Sequence, residues 1–398
     1  MPVASRTRMF YSVLEAQFMH AIITVSSPGG SMLIPVISRG VKHPGLSIAA
    51  IATTAVLLVG CSATESPSSS GNSGGGKANI ALVPGGPNIY FAPWEQSATD
   101  AQKQFDIAKV SYVVPPTQTF ETAVQITTLN SLASQGVNGM AVFPNGATAL
   151  QPAYQRIIDQ GAKIIDLAGC TKQPTPALFC LATDVEAAAK TQTELVIKKM
   201  GGKGNIVFLA GQPTDANTVQ RQAGVEAAIA ETGGKVKLLQ VVSNIDSPTA
   251  ATPAIQSLLA GSADHIDGIV STSYYPSVAG AEIWSQNSQY QRIVFAAADS
   301  SPEVMQAIQQ GAIYGTMFQN SSGQGLVAAY LLNRIITHNC TVNAGGPWKK
   351  SALTDRLMDS GYQFVDSSTV ADVIGKPYGL PEVTKKLLTE ADKYLTCP

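Results

Sequence analysis

Asn217 and Arg221 stand four residues apart at the start of a helical stretch, so their side chains share one face. Arg221 brings a planar fork of donors, suited to a ring oxygen or paired hydroxyls. Asp299 closes the apolar run 293–297 and would accept bonds from two adjacent hydroxyls. Near the other end, Asn88, Tyr90, Phe91 and Trp94 fall where an apolar run hands over to a helix. This is the chemistry of recognition. A buried hydroxyl must find a replacement for each bond it made to water, and aromatic faces meet the C–H side of a ring. The mixture suits a small, neutral, polyhydroxylated ligand better than a phosphate. Each side chain also has a plain structural alternative: Arg221 as a solvated helix residue, Asp299 as the cap of a helix near Pro302, Asn88 as a turn residue, Trp94 as core.

Catalysis has little to recruit. Of the four histidines, His20, His43, His265 and His338, two precede Cys61, and the others have no serine or cysteine motif around them. No metal-ligand spacing occurs. The turn Gly85, Gly86, Pro87 lacks the glycine spacing of a dinucleotide site, and Pro87 removes an amide that a phosphate would want. The expectation is no enzyme, no cofactor and no metal. A net charge of −1 with 13% charged residues in 398 supplies no basic surface for nucleic acid.

Strand-to-helix junctions must hold these groups. The stretch 80–105 reads as a buried strand from Ile80, a glycine turn, and an amphipathic helix from Pro93. Strands are expected at 110–114, 137–143 and 162–167, with helices at 120–134 and 149–160 between them. A long helix at 182–199 follows. Strands at 205–209, 235–242 and 266–271 and helices at 218–232, 252–260 and 277–286 then repeat the alternation. Strands at 293–297 and 312–318 and helices at 302–310 and 323–336 complete it. Such alternation builds parallel sheets covered on both faces. The expected fold class is α/β, with two doubly wound, Rossmann-like lobes joined by a hinge and meeting across a cleft lined by strand ends.

The stretch 46–59 is uncharged and apolar and follows Arg39, Lys42 and His43, as the core of a signal peptide does. It is shorter than the roughly 20 residues a membrane span needs. Leu58 to Cys61 resembles the bacterial lipobox, whose cysteine is lipidated and becomes the first mature residue. The Ser- and Gly-rich residues 62–77 read as a flexible tether. Residues before Met32 exceed the short n-region of a signal peptide, so translation is expected to start downstream of Met1. The five cysteines divide as one plus two plus two, which suggests a modified Cys61 and two disulfides, expected as Cys170 with Cys180 and Cys340 with Cys397, in an oxidising compartment; five buried free thiols are the plain alternative.

Residues 78–338 resemble the periplasmic sugar-binding proteins of ABC importers, the type I group of ribose and galactose binders. Asn88, Tyr90 and Phe91 follow the opening strand as the family's polar residue and stacking aromatics do. Thr183 and Asp184 look like a first crossing between lobes. Arg221 with Gly224 is similar to the family's arginine-glycine helix, and Asn217 sits where some members place an aspartate. Tyr274 stands at the position of a usual asparagine, Asp299 at that of the family aspartate, and Gln319 at that of the amide before a second crossing. Asp246 occupies a loop where relatives stack an aromatic, so one wall is expected to be more polar. Ala168 and Gly169 replace the aspartate-arginine pair of ribose binders, which leaves pentose, hexose, deoxy sugar, linear polyol and furanone signal all open.

The resemblance implies a monomeric, extracytoplasmic lipoprotein that closes on its ligand and delivers it to an ABC permease. The implied layout is signal peptide at 1–60, lipidated Cys61 and linker at 61–77, lobe I at 78–182 plus 320–355, and lobe II at 183–319 plus 356–398. Sensing, with ligand presented to a membrane receptor, is the alternative that uses the same site, and a sugar-acting enzyme is a weaker one. A transcription regulator would need a basic helix-turn-helix where the export signal stands.

Overall fold

Alternate residues of the first strand feed two different cores. In β1 (Asn79–Val83), Ile80 and Leu82 pack into one hydrophobic cluster while Ala81 and Val83 pack into another on the opposite face. A strand buried on both faces must sit inside a sheet covered by helices on each side, and the computed structural model shows that arrangement twice. It describes residues 76–117, 119–376 and 378–398. The apolar stretch 46–59, Cys61 and the tether as far as residue 75 lie outside the described residues.

The first half runs β1, α1 (Pro93–Gln104), β2 (Lys109–Tyr112), α2 (Thr122–Ser134), β3 (Gly139–Val142), α3 (Gln151–Asp159), β4 (Lys163–Leu167) and β5 (Cys180–Ala182). The second runs α4 (Val185–Lys199), β6 (Gly204–Leu209), α5 (Ala216–Ala230), β7 (Val236–Val242), α6 (Pro248–Ser262), β8 (Gly268–Ser271), α7 (Tyr274–Gln286), β9 (Val294–Ala298), α8 (Pro302–Gln309) and β10 (Gly315–Gln319). In β6, Val207 and Leu209 join one core while Ile206 and Phe208 join the other, repeating the logic of β1.

After β10 the chain returns through α9 (Ser321–Thr337), β11 (Thr341–Val342), β12 (Leu357–Asp359), β13 (Tyr362–Asp366), α10 (Pro381–Thr389), α11 (Ala391–Tyr394) and β14 (Leu395–Thr396). The lobe I sheet has the order β12-β5-β4-β3-β1-β2 and the lobe II sheet β13-β10-β9-β8-β6-β7. All neighbours are parallel except β13, which runs antiparallel to β10.

The tail departs from the expected layout. Residues 356–398 were expected in lobe II, yet β12 pairs with β5 of lobe I and only β13 joins lobe II. From α10 onward, Leu387, Ala391, Tyr394 and Leu395 pack into the lobe I core with Leu331 and Leu332 of α9. β14 pairs with β11, and Cys397 is joined to Cys340 at the end of α9. Cys170 is joined to Cys180. The short tail elements carry few apolar residues, so their place depends on the cross-link and on the groove they fill rather than on any local period.

The chain therefore passes between lobes four times: at Thr183–Asp184, at Asn320, at Ser360–Gly361, and again between β13 and α10. Polar side chains tie these passages together. The Asn320 amide donates to the Ser360 carbonyl at 3.0 Å, while its oxygen accepts from the Leu380 backbone at 2.7 Å. The Asp359 carboxylate accepts from the backbone of both Asp184 and Gly361. Among the described residues, no helix is long and apolar enough to cross a membrane.

Candidate functional site

The carboxyl edges of both sheets face one cavity. Lobe I lines it with Asn88, Tyr90, Phe91, Phe120, Phe143 and Ala168; lobe II lines it with Asp215, Asn217, Arg221, Asp246, Thr272, Ser273, Tyr274, Asp299 and Gln319. One wall is mostly aromatic and the other mostly polar.

The lobe I wall is built on the turn after β1. Gly85 is required there, since a Cβ would lie 2.3 Å from Asn145 Oδ1 and 2.4 Å from the Phe120 ring. The turn then enters a short 3₁₀ helix at Ile89–Phe91, capped by the Asn88 side chain, which accepts from the Tyr90 backbone at 2.9 Å. Asn88 thus serves the turn and the cavity at once. Phe91 meets Phe143 at 5.1 Å and Phe120 at 6.3 Å in edge contacts, forming an apolar cluster. Tyr90 is half-buried, and its hydroxyl donates to Gln324 Oε1 of α9 at 2.9 Å.

Trp94 does not join this wall. It is fully buried in the lobe I core, 4.8 Å from the Phe91 ring. Trp94 is the second residue of α1, a helix packed on α9, and the structure places it among the core residues.

The lobe II wall depends on α5. Asp215 caps this helix through the backbone amides of Asn217 and Thr218, which commits its carboxylate to the helix end. Gly224 lets α5 lie close on α4, because a Cβ there would come within 2.2 Å of the Glu186 carbonyl. That approach brings Asn217 and Arg221, one turn apart, to the cleft. The Asn217 amide donates to the Ala168 carbonyl at 2.9 Å, a bond from one lobe to the other. Arg221 has no ion pair among the described residues, so its donors are available to a guest. Thr272 Oγ1, also in the wall, is buried without a hydrogen-bond partner among the described residues.

Asp299 does not cap the helix that follows it. Ser301 does, accepting from the Val304 backbone at 3.1 Å, and the Asp299 carboxylate is left for other work. The residue lies in the left-handed region at φ 65°, an uncommon conformation for a side-chain-bearing residue and one often associated with function. Two bonds hold its backbone: its N–H to the Met317 carbonyl at 2.9 Å, and Thr316 Oγ1 to its own carbonyl at 2.7 Å. Gln319 Nε2 donates to Oδ1 at 2.7 Å, and so does the hydroxyl of Tyr378. Burial pushes the Asp299 carboxyl above its usual range, against the pull of Tyr378, Arg221 and Gln319 toward the ionised form. Burial likewise raises Asp246, whose Oδ1 accepts from Ser273 Oγ at 2.6 Å. Tyr274 is pushed up to about 12 by burial and by the charges of Glu303 and Asp299.

Nine residues singled out from the sequence therefore line one cavity: Asn88, Tyr90, Phe91, Asn217, Arg221, Asp246, Tyr274, Asp299 and Gln319. Phe143, Thr272 and Ser273 were not singled out, although each follows the end of a strand, so the junction rule that picked Asp299 applied to them as well; Ala168 was noted only for the pair it replaces. The helix expected at 120–134 begins only at Thr122 in the structure, which leaves Phe120 in the loop before it, and Tyr378 lies in an irregular segment that carries no period.

The family model described as a periplasmic binding protein domain matches residues 80–339. A xylitol-binding protein of Mycolicibacterium smegmatis is 22% identical over 202 residues, which is 51% of this chain and 57% of that protein's length. Among solved structures, a solute-binding protein of an ABC transporter from Burkholderia graminis, in complex with D-arabinose, superposes with a TM-score of 0.65 at 19% identity, covering 75% of this chain and 98% of that one. A periplasmic solute-binding protein from Actinobacillus succinogenes with bound D-allose gives a TM-score of 0.64 at 21% identity, covering 74% of this chain and all of that one. These structural likenesses establish the fold.

Proposed function

The chain belongs to the periplasmic binding protein domain family, and from that premise we propose that it captures an uncharged monosaccharide or polyol between its lobes and delivers it to an ABC transporter. The observation that carries the proposal is the pairing of walls in one cavity. The aromatics Tyr90, Phe91, Phe120 and Phe143 offer an apolar face, and opposite them stand the unpaired Arg221, the carboxylate of Asp299 and the amides of Asn217 and Gln319. A sugar or polyol needs both, because its hydroxyls must be re-bonded and its C–H surface must be dried. The relatives' ligands, xylitol, D-arabinose and D-allose, are of this class. The function includes no chemical step.

Arg221 and the partnerless Thr272 hydroxyl would bond the guest, and Asp299 would accept from its hydroxyls. The Asn217 bond to Ala168 would help hold the lobes together around it, a hinge closure that also presents both lobes to a permease. Lipidation of Cys61 would keep the monomer at the outer face of the membrane. A Cys61→Ser chain that stays in the membrane fraction would overturn that anchor.

A thermal-shift screen of sugars, pentitols, amino acids and nucleosides tests the ligand class. A ligand at a hundred times its Kd adds about 2.7 kcal/mol of stability. D-arabinose, D-allose, xylitol or a close relative should raise the melting temperature. A shift from amino acids or nucleosides alone would reject the proposal.

A further inference from the structure

We infer that Tyr378 is a positioning residue of the ligand site: its hydroxyl and the Gln319 amide together occupy one carboxylate oxygen of Asp299 and leave the other for the guest. Both donors reach the same atom, Oδ1, from different elements. Gln319 comes from the end of β10, and Tyr378 from the passage between β13 and α10. Oδ2 has no hydrogen bond among the described residues. Because the Asp299 backbone is already clamped through Met317 and Thr316, the freedom left to the carboxylate is rotation about its side-chain bonds. Two donors on a single oxygen remove it.

Tyr378 is itself held firmly. Its ring stands edge-on to Phe318 at 4.8 Å and to Tyr90 at 5.9 Å, and its carbonyl accepts from the Ser322 backbone at 2.9 Å. Two residues on, the Leu380 backbone is bonded to Asn320 in the second passage between lobes. Burial keeps the phenol protonated, so it acts only as a donor to the carboxylate. Residue 378 lies beyond the 80–339 stretch that matches the family model. The tail of this chain therefore supplies a group that the matched domain does not contain.

The other groups that face Asp299 are Arg221 of α5, Asp246 before α6, Tyr274 of α7 and Tyr90 of lobe I. None of them donates to Oδ1, so Tyr378→Phe removes one donor and keeps the ring. In the ligand-free full chain, the Asp299 carboxyl followed by ¹³C NMR should titrate at a higher pH in Tyr378→Phe than in the wild type, because the ionised form loses a stabilising bond. An unchanged midpoint would overturn the inference. The second arm rests on the proposed sugar or polyol site. With D-arabinose and xylitol as probes, Tyr378→Phe should weaken binding about tenfold and should weaken it no further in an Asp299→Asn background. Equal losses in both backgrounds would assign Tyr378 a role unconnected to Asp299 and overturn the inference. If neither probe binds the wild type, the sugar reading loses support while the titration still decides the role of Tyr378.

Discussion

The side-chain amide of Asn217 in lobe II reaches the main-chain carbonyl of Ala168 in lobe I, 2.9 Å away and 49 residues earlier in the chain. Ala168 follows β4, the fourth strand of its lobe in sequence, just as Asp299 follows β9, the fourth of its own. Both adopt the left-handed conformation, at φ 61° and φ 65°. The two lobes thus place equivalent kinks opposite one another, one bearing a carboxylate and the other only a methyl group and a carbonyl.

Asn217→Asp should open the cleft. A carboxylate cannot donate to the Ala168 carbonyl and would repel it, whereas Asn217→Ala only deletes the bond. Small-angle X-ray scattering of ligand-free protein should show a larger radius of gyration for Asn217→Asp than for Asn217→Ala, with the wild type the most compact. Equal radii would mean that the bond has no part in holding the lobes together.

Arg221→Lys should bind ligand at least about tenfold more weakly, since a point-like ammonium cannot reproduce two parallel donors. Asp299→Asn is the cleaner test of the carboxylate. Asparagine tolerates the left-handed conformation, whereas alanine at φ 65° adds about 1–2 kcal/mol of backbone strain. Calorimetric titration should find binding markedly weakened but still measurable in Asp299→Asn, with the melting temperature near that of the wild type. Asp299→Ala should lose both binding and stability. Full-strength binding by either Asp299 variant would take the carboxylate out of the site.

The two disulfides should separate stability from binding. Cys340–Cys397 closes 57 residues and Cys170–Cys180 closes 10, which in the loop-entropy account gives about 4 and about 3 kcal/mol. The Cys340→Ser/Cys397→Ser chain should therefore melt lower. The Cys170→Ser/Cys180→Ser chain should lose more affinity, because Cys170 lies two residues from Ala168 in the cavity wall. A reversed order in the melts would show that the tail is held without its cross-link.

Asp166 should give stability a pH dependence unrelated to ligand. It is buried in β4 and accepts from the Thr171 backbone at 2.7 Å and the Thr171 hydroxyl at 2.6 Å, yet burial dominates and pushes it up to about 7. The folded state then binds the proton more tightly than the unfolded chain, whose aspartate titrates near 3.8. The stability this gives is fully present below about pH 4 and is lost as pH rises through about 7. Asp166→Asn should flatten that decline in chemical denaturation between pH 4 and 7. An unchanged slope would assign the decline to other groups.

The β/α alternation was legible because each strand and helix announces itself over a few neighbouring residues. Ile80 and Leu82 against Ala81 and Val83 already carry the two-faced burial of β1. Asn217 and Arg221 share a face through the helical period alone, and an aspartate just past a strand falls at a sheet edge whatever the rest of the chain does. The cysteine spacing suggested the pairs that the structure contains.

Proximity between distant segments was decided only by packing. Trp94 has the composition of a stacking residue, but the close contact of α1 with α9 turns it into the core. The last residues, weakly apolar and short in period, go to lobe I because Cys340, β11 and the groove beside α9 receive them. Tyr378 meets Asp299 across 79 positions of sequence. Local periodicity is written in neighbouring side chains and survives without the fold, whereas a bond between remote residues exists only once the two lobes have brought their strand ends together.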